Sequence, residues 1–296
     1  MKIITFRTTK NSPYQIGLVD LSGERVISLK SLGLGIKSMQ EFIMCWGAEL
    51  EHRLQNTLNS RSGEIALKDI ILAAPIPCPA QEIICLGINY LDHAQESAKF
   101  KKEVFEGKTK EAVYFGKRVN EATPDGGIIP SHKDITEKLD YEVELGVIIG
   151  KDAWKVKREN AFECVFGYTI INDISARDVQ MKHKQWYFGK SLEGCTPMGP
   201  CIVTKDEFSI PPIMKISSYV NNELRQKSST DLLIFGIDYV IEELSKGMVL
   251  KAGSIISMGT PSGVGMGFEP PKFLKSGDII ECHIEGIGSL KNTIGN

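Results

Sequence analysis

"LDYEVELGVIIG", residues 139–150, decides how the rest of the chain is read. Val143, Leu145, Val147 and Ile149 fall on one face, and Glu142, Glu144, Gly146 and Ile148 on the other. A period of two is the signature of a β-strand. Such a strand holds its two carboxylates about 6–7 Å apart and pointing the same way. Two unpaired anions in that position repel each other. The acidic face therefore either looks into water at a sheet edge or shares a cation.

Working outward, "EIICLGINY" (82–90) reads as a buried strand, and "LDHAQESAKFKKEVFEGKTKEA" (91–112) as a helix followed by a mobile loop. "RVNEATPDGGIIPSH" (118–132) is rich in turns. After the acidic strand come a short helix near "RENAFECVFG" (158–167), the strand "YTIIND" (168–173) and a helical stretch "ISARDVQMKHK" (174–184). "MKISSYVNN" (214–222) is a strand entering an Asn-Asn hairpin turn. "GIDYVIEELSKGM" (236–248) is a helix ending at Gly247, and the tail is strands and glycine turns. At the other end, residues 1–30 are short strands, and Phe42, Trp46, Leu50 and Leu54 recur every four residues, which predicts a helix over 38–58. "LAAPIPCPAQE" (72–82), with three prolines, marks a boundary between a small N-terminal domain (1–75) and a main domain (80–296). Strands outnumber helices and do not alternate with them. That disfavours a doubly wound sheet or a (β/α)8 barrel and predicts a β-rich α+β fold.

The 296 residues are 42% hydrophobic, enough for a full core, and the formal charge of -2 argues against a nucleic-acid binder. Seven cysteines, Cys45, Cys78, Cys85, Cys164, Cys195, Cys201 and Cys282, include no CxxC pair and read as reduced thiols. The first residues lack a signal-peptide core, and no apolar run reaches the ~18 residues of a membrane span. A soluble, cytoplasmic protein is the expectation.

Several side chains can carry chemistry. Asp173, where an apolar strand meets a polar turn, is either a helix cap or a third oxygen ligand beside Glu142 and Glu144. Three carboxylates without a His or Cys pair suit a hard ion, Mg2+ or Mn2+, rather than zinc. His93 and Glu96, three apart, share a helix face and form a candidate general base with its orienting carboxylate; the plainer alternative is an exposed helix surface. Arg177 and Gln180, also three apart, follow Asp173 closely, and an Arg suits a substrate carboxylate. Lys190 stands among aromatics and glycine. "GTPSGVGMGF" (259–268) has a phosphate-loop look but lacks the GK[ST] ending and is followed by "EPPKF", so it is not read as a nucleotide site.

Taken together, "ICLGINYLDHAQE", "LDYEVELGVIIGK", "VFGYTIINDISARDVQ", "FGKSLEGCTPMGP", "GTPSGVG" and "GDIIECHIEGIGSLKN" resemble the fumarylacetoacetate hydrolase family, in the family's order, over residues ~80–294. The resemblance implies a mixed β-roll catalytic domain, a homodimer, and Mg2+ or Mn2+ held by Glu142, Glu144 and Asp173. It further implies a His93–Glu96 catalytic dyad, an active-site Lys190, and substrate contacts from Arg177, Gln180, Lys190 and Thr260. Phe188 stands where many members have Arg, and 193–196 also differ, in a stretch expected to face the distal end of the substrate. The implied chemistry is C–C bond cleavage in a 2-oxo dicarboxylate or acylpyruvate by way of an enolate, first of all decarboxylation of oxaloacetate. The alternatives are acylpyruvate or fumarylpyruvate hydrolysis and 2-oxo acid tautomerisation or isomerisation.

Overall fold

The computed structural model describes residues 1–296 except 102, 103, 106, 108 and 109 and the side chain of 101. The chain opens with β1 (Lys2–Arg7), β2 (Gln15–Val19) and β3 (Arg25–Ser28), then α1 (Met39–Met44) and α2 (Ala48–Ser60), then β4 (Ile65–Ala66) and β5 (Ile71–Ala73). The single helix expected over 38–58 is thus two. It breaks at Gly47, whose backbone is fully extended (φ -169°, ψ 171°). Phe42 and Trp46 pack edge to face at 5.4 Å, and Trp46 meets Phe166 the same way at 5.1 Å.

Next come β6 (Ile83–Gly87), α3 (Leu91–Lys101), β7 (Val113–Lys117), β8 (Ile128–Ile129), β9 (Leu139–Asp140), β10 (Val143–Ile149), β11 (Val165–Asn172) and β12 (Ser175–Ala176). The loop expected after α3 falls partly outside the described residues. The short helix near 158–167 is a 3-10 helix over Arg158–Cys164. α4 (Arg177–Lys182) begins later than the sequence pattern suggests, because β12 pairs with β9 before the helix starts. The remainder is α5 (Tyr187–Lys190), β13 (Met198–Thr204), β14 (Lys215–Val220), β15 (Glu223–Ser229), α6 (Ile237–Gly247), β16 (Ile255–Ser257), β17 (Ile279–Ile284) and β18 (Gly288–Ile294). Asn221 (φ 51°) and Asn222 (φ 66°) take the two left-handed positions of a tight hairpin between β14 and β15.

The elements form a β-rich α+β fold with two large open, mixed sheets. The larger has eleven strands, in the order β4-β3-β2-β1-β13-β11-β10-β16-β6-β7 with β5 also on β1. β1 pairs with β13 (Lys2 opposite Val203), so residues before the proline-rich stretch extend the sheet that contains the acidic strand. The smaller sheet runs β15-β14-β17-β18-β8. Both contain one parallel pair, β16 with β6 and β18 with β8.

All seven residues of β10 are buried, so neither of its faces looks into water. Val143, Leu145, Val147 and Ile149 share a core with Ile216, Val220, Ile280 and Leu290 of the smaller sheet. Ile148, on the opposite face, joins Phe42, Phe166 and Ile171 in a second core roofed by the N-terminal helices. The acidic end of that second face is left facing β7, α4 and α5. All seven cysteines are free thiols. Among the described residues no helix is long and apolar enough to cross a membrane.

Candidate active site

Oxygens of Glu142, Glu144 and Asp173 come within 4.8 Å of one another, all three residues being buried. β10 supplies Glu144, and Glu142 immediately precedes its first residue. Asp173 follows β11, and its N–H donates to the Glu142 carbonyl (2.9 Å), which fixes the strand ends against each other. Asp173 is no helix cap: Ala176 occupies that position of α4 and makes no side-chain cap bond.

Each acid has its own partners. Arg177 Nη2 lies 2.6 Å from Glu142 Oε1, and Lys190 Nζ reaches both Glu142 Oε2 (2.5 Å) and Asp173 Oδ2 (2.7 Å). Asp173 Oδ1 faces Lys117 Nζ at 2.7 Å but accepts no well-aligned hydrogen bond. Glu144 Oε2 accepts from Ser257 Oγ (2.5 Å) and the Gly259 N–H (3.0 Å), so Oε1 is the oxygen left for a ligand. Burial opposes charge on Glu142, yet Arg177 and Lys190 hold its carboxyl well below the usual range. Burial, with the neighbouring charges of Asp173 and Glu142, pushes Glu144 up to about 8. Burial would lower Lys190, but Asp173 and Glu142 raise it and keep it an ammonium.

Lys117 was not legible as a site residue. It is completely buried at the end of β7, donates to the Ile174 carbonyl (3.0 Å) and to the Lys190 carbonyl, and neutralises Asp173. Its only cue is a lysine closing an apolar strand, "VYFGK". Asp140 was missed as well. It accepts from Arg177 Nε (2.9 Å) and from the Gly265 and Met266 N–H groups (2.6 and 3.0 Å). Arg177 is thereby clamped between Asp140 and Glu142, with Nη1 on Gln180 Oε1 at 3.2 Å.

The glycine-rich loop binds the protein's own carboxylates. Its N–H groups go to Glu144 (Gly259), Glu96 (Gly263, 2.9 Å) and Asp140 (Gly265, Met266). Gly259 has φ +88°, and a Cβ there would sit 2.8 Å from the Asn89 Cβ, so no other residue fits. Thr260 is held inside the framework, its hydroxyl donating to the Val143 carbonyl (3.0 Å) and accepting from Gln226 (2.7 Å).

His93 Nδ1 lies 3.0 Å from Glu96 Oε2, and both side chains are largely buried, so the exposed-surface alternative does not hold. His93, Glu142, Glu144, Arg177, Gln180, Lys190 and Thr260 line one cavity, while Asp173 and Glu96 stand behind it as partners of Lys190 and His93. Leu86, Phe115, Met181, Trp186 and Met266 form its apolar walls. Phe188 is half exposed, stacked edge-on against His183 at 6.0 Å, and is not among the residues that line this cavity.

The donor set fits a divalent ion. Four buried carboxylates (Asp140, Glu142, Glu144, Asp173) face three buried cations (Lys117, Arg177, Lys190), and Asp173 Oδ1 lacks a proper donor. A cation among these three carboxylates would offset the burial and the repulsion that raise Glu144, and an all-oxygen set suits a hard ion.

Comparisons with known proteins agree with this picture. The sequence profile described as fumarylacetoacetate (FAA) hydrolase C-terminal matches residues 82–295. A Bacillus subtilis protein named oxaloacetate tautomerase YisK is 49% identical over 230 residues, 78% of this chain and 75% of that one. Among solved structures, a fumarylacetoacetate hydrolase from Exiguobacterium antarcticum superposes with TM-score 0.81 at 36% identity, covering 100% of this chain and 99% of that one. A maleylpyruvate hydrolase from Sphingobium sp. SYK-6, in complex with manganese(II) and pyruvate, gives 0.78 at 25% identity over 100% and 99% of the two chains.

Proposed function

The chain belongs to the fumarylacetoacetate hydrolase family and is one of its enzymes, and from that premise we propose that it moves a proton at C3 of a small 2-oxo dicarboxylate, keto–enol tautomerisation of oxaloacetate being the reaction the site supports best. The observation that carries this reading is the His93–Glu96 pair, already in contact at 3.0 Å, on the wall of the cavity lined by Glu142 and Glu144. Tautomerisation needs a base and electrostatic stabilisation of an enolate, with no leaving group and no water. The 49% identical relative named as an oxaloacetate tautomerase supports it further.

Glu142, Glu144 and Asp173 are the residues to hold Mg2+ or Mn2+, which when bound supplies Lewis-acid polarisation of the 2-oxo carbonyl and so acidifies C3. Glu96 engages Nδ1 of His93, which leaves Nε2 as the base that takes the C3 proton. The same imidazolium returns it to the 2-oxo oxygen, completing the enol with no net loss of protons. The Lys190 ammonium, held in place by Glu142 and Asp173, lies where negative charge develops. Gln180, its carbonyl taken by Arg177, turns its amide N–H groups to a substrate carboxylate.

A second reading shares the enolate. If the bond from C3 to a C4 carboxylate breaks instead, the products are pyruvate and CO2, the decarboxylation the sequence suggests; if C4 is a ketone, water attacks it and an acylpyruvate is hydrolysed. The Mn(II)–pyruvate complex of the maleylpyruvate hydrolase neighbour favours keeping this reading. A homodimer, implied by the resemblance, belongs to the same proposal and is read by light scattering. Purified protein with Mn2+ and oxaloacetate in D2O separates the reactions. C3 deuteration well ahead of pyruvate release is the expected result, and pyruvate appearing without prior exchange overturns it.

A further inference from the structure

Immediately before Glu142, two side chains make contacts that metal binding does not require. Tyr141 is completely buried, and its hydroxyl donates to the Gly263 carbonyl (2.9 Å) while accepting from Arg225 Nη1 (3.4 Å). Asp140, equally buried, takes the Gly265 N–H on Oδ1, and the Met266 N–H together with Arg177 Nε on Oδ2. Adjacent residues thus grip one turn, 263–266, at three points. The Gly263 N–H in that turn donates to Glu96 Oε1 (2.9 Å), and Glu96 Oε2 meets His93 Nδ1 (3.0 Å). Gly263 has no slack: at φ +99°, a Cβ would fall 2.0 Å from the Arg225 carbonyl oxygen.

We propose that Asp140 and Tyr141 are positioning residues for the proton-transfer dyad, setting Glu96 and His93 at a fixed distance from the carboxylate cluster through the 263–266 turn. The reasoning is geometric. Glu142 follows Tyr141 directly in the chain, so the grip on the turn and the first acid of the cluster move as one rigid strand end. The other side of the turn is hydrogen-bonded to Glu96. The base is therefore referenced to the acids by one short path of covalent and hydrogen bonds, not by its own helix alone. Asp140 adds a second line, since its carboxylate also aligns Arg177, which reaches Glu142 from the opposite side. A charged acceptor shared by three backbone N–H groups, those of Tyr141, Gly265 and Met266, and a guanidinium is the strong kind of hydrogen-bond centre.

This inference rests on the proton-transfer reading. Tyr141→Phe removes one hydroxyl and keeps the ring, so folding is expected to survive. It is expected to lower kcat for C3 exchange about tenfold with KM within about twofold, the scale seen when groups that orient a functional side chain are removed. Asp140→Asn is expected to lower kcat further, toward about a hundredfold, and to raise KM as Arg177 loosens. In a Glu96→Gln background, Tyr141→Phe is expected to add little, because both changes act on one path. Equal losses in the two backgrounds, or full kcat in Tyr141→Phe, overturn the proposal; if Asp140→Asn does not fold, the tyrosine variant decides. The 15N shifts of the His93 imidazole need no turnover. They are expected to move toward a tautomer mixture in Tyr141→Phe, and unchanged shifts overturn the proposal even if the wild type shows no C3 exchange. That last outcome, by itself, sinks the tautomerase reading and leaves the positioning claim to the shifts.

Discussion

One face of strand β10 carries two interiors. At Glu142 and Glu144 it meets Arg177, Lys190, Ser257 and the Gly259 N–H, each within hydrogen-bonding distance. A few residues on, Ile148 lies among Phe42, Phe166 and Ile171, with no polar group to satisfy. Both ends are buried, but they are held differently. The apolar end is stabilised by removing hydrocarbon from water, which has no direction and tolerates small shifts. The acidic end is stable only because nearly every oxygen has a donor or cation at a set distance, and removing one partner strands a buried charge. The contrast predicts that the apolar end can loosen without altering the chemistry, and that the acidic end cannot.

Five substitutions, in falling order of effect, break or sharpen that contrast. Glu144→Ala is expected to abolish both Mn2+ binding and turnover, followed by calorimetric titration and by C3 exchange; turnover at unchanged Mn2+ affinity removes Glu144 from the ligand set. His93→Ala is expected to slow C3 exchange about 10²–10⁴-fold, the usual contribution of a general base, with Mn2+ affinity kept and pyruvate release less affected. Equal losses in the two reactions show that the base is not what separates them. Lys117→Met leaves Asp173 short of countercharge and is expected to destabilise the protein by about 3–5 kcal/mol in urea titration, along with loss of activity; a neutral result denies Lys117 its place in the charge balance. Ile148→Ala, at the apolar end, is expected to lower stability by about 2–5 kcal/mol while kcat stays within about twofold. A comparable fall in kcat means that the two ends are mechanically one unit. Ser257→Ala removes one donor to Glu144 and is expected to weaken Mn2+ binding about tenfold with little change in melting temperature.

Much of this was readable from local pattern. The alternation of 139–150 placed both glutamates on one face, and the Asn-Asn pair marked its hairpin through the left-handed backbone those residues tolerate. Spacing and context singled out His93, Arg177, Gln180 and Lys190, and the family resemblance added Thr260; all five line the cavity. Other features left no local trace. Lys117 reads as an ordinary strand-end lysine until β6 and β7 bring it beneath Asp173. The loop dismissed as a phosphate site does bind anions, but they are the side chains of Glu144, Glu96 and Asp140. The pairing of β1 with β13 sets Lys2 opposite Val203, far apart in the chain, and no periodicity within either segment announces it.

Local spacing is enough to establish which residues alternate, where the chain turns and which acids are available, because backbone geometry ties side-chain direction to spacing over a few residues. Tertiary structure alone decided which cations stand against those acids and which N–H groups point at them. In a dry interior the energy of a charge depends on a few ångströms to groups far away along the chain, and only the packed sheets and loops set those distances.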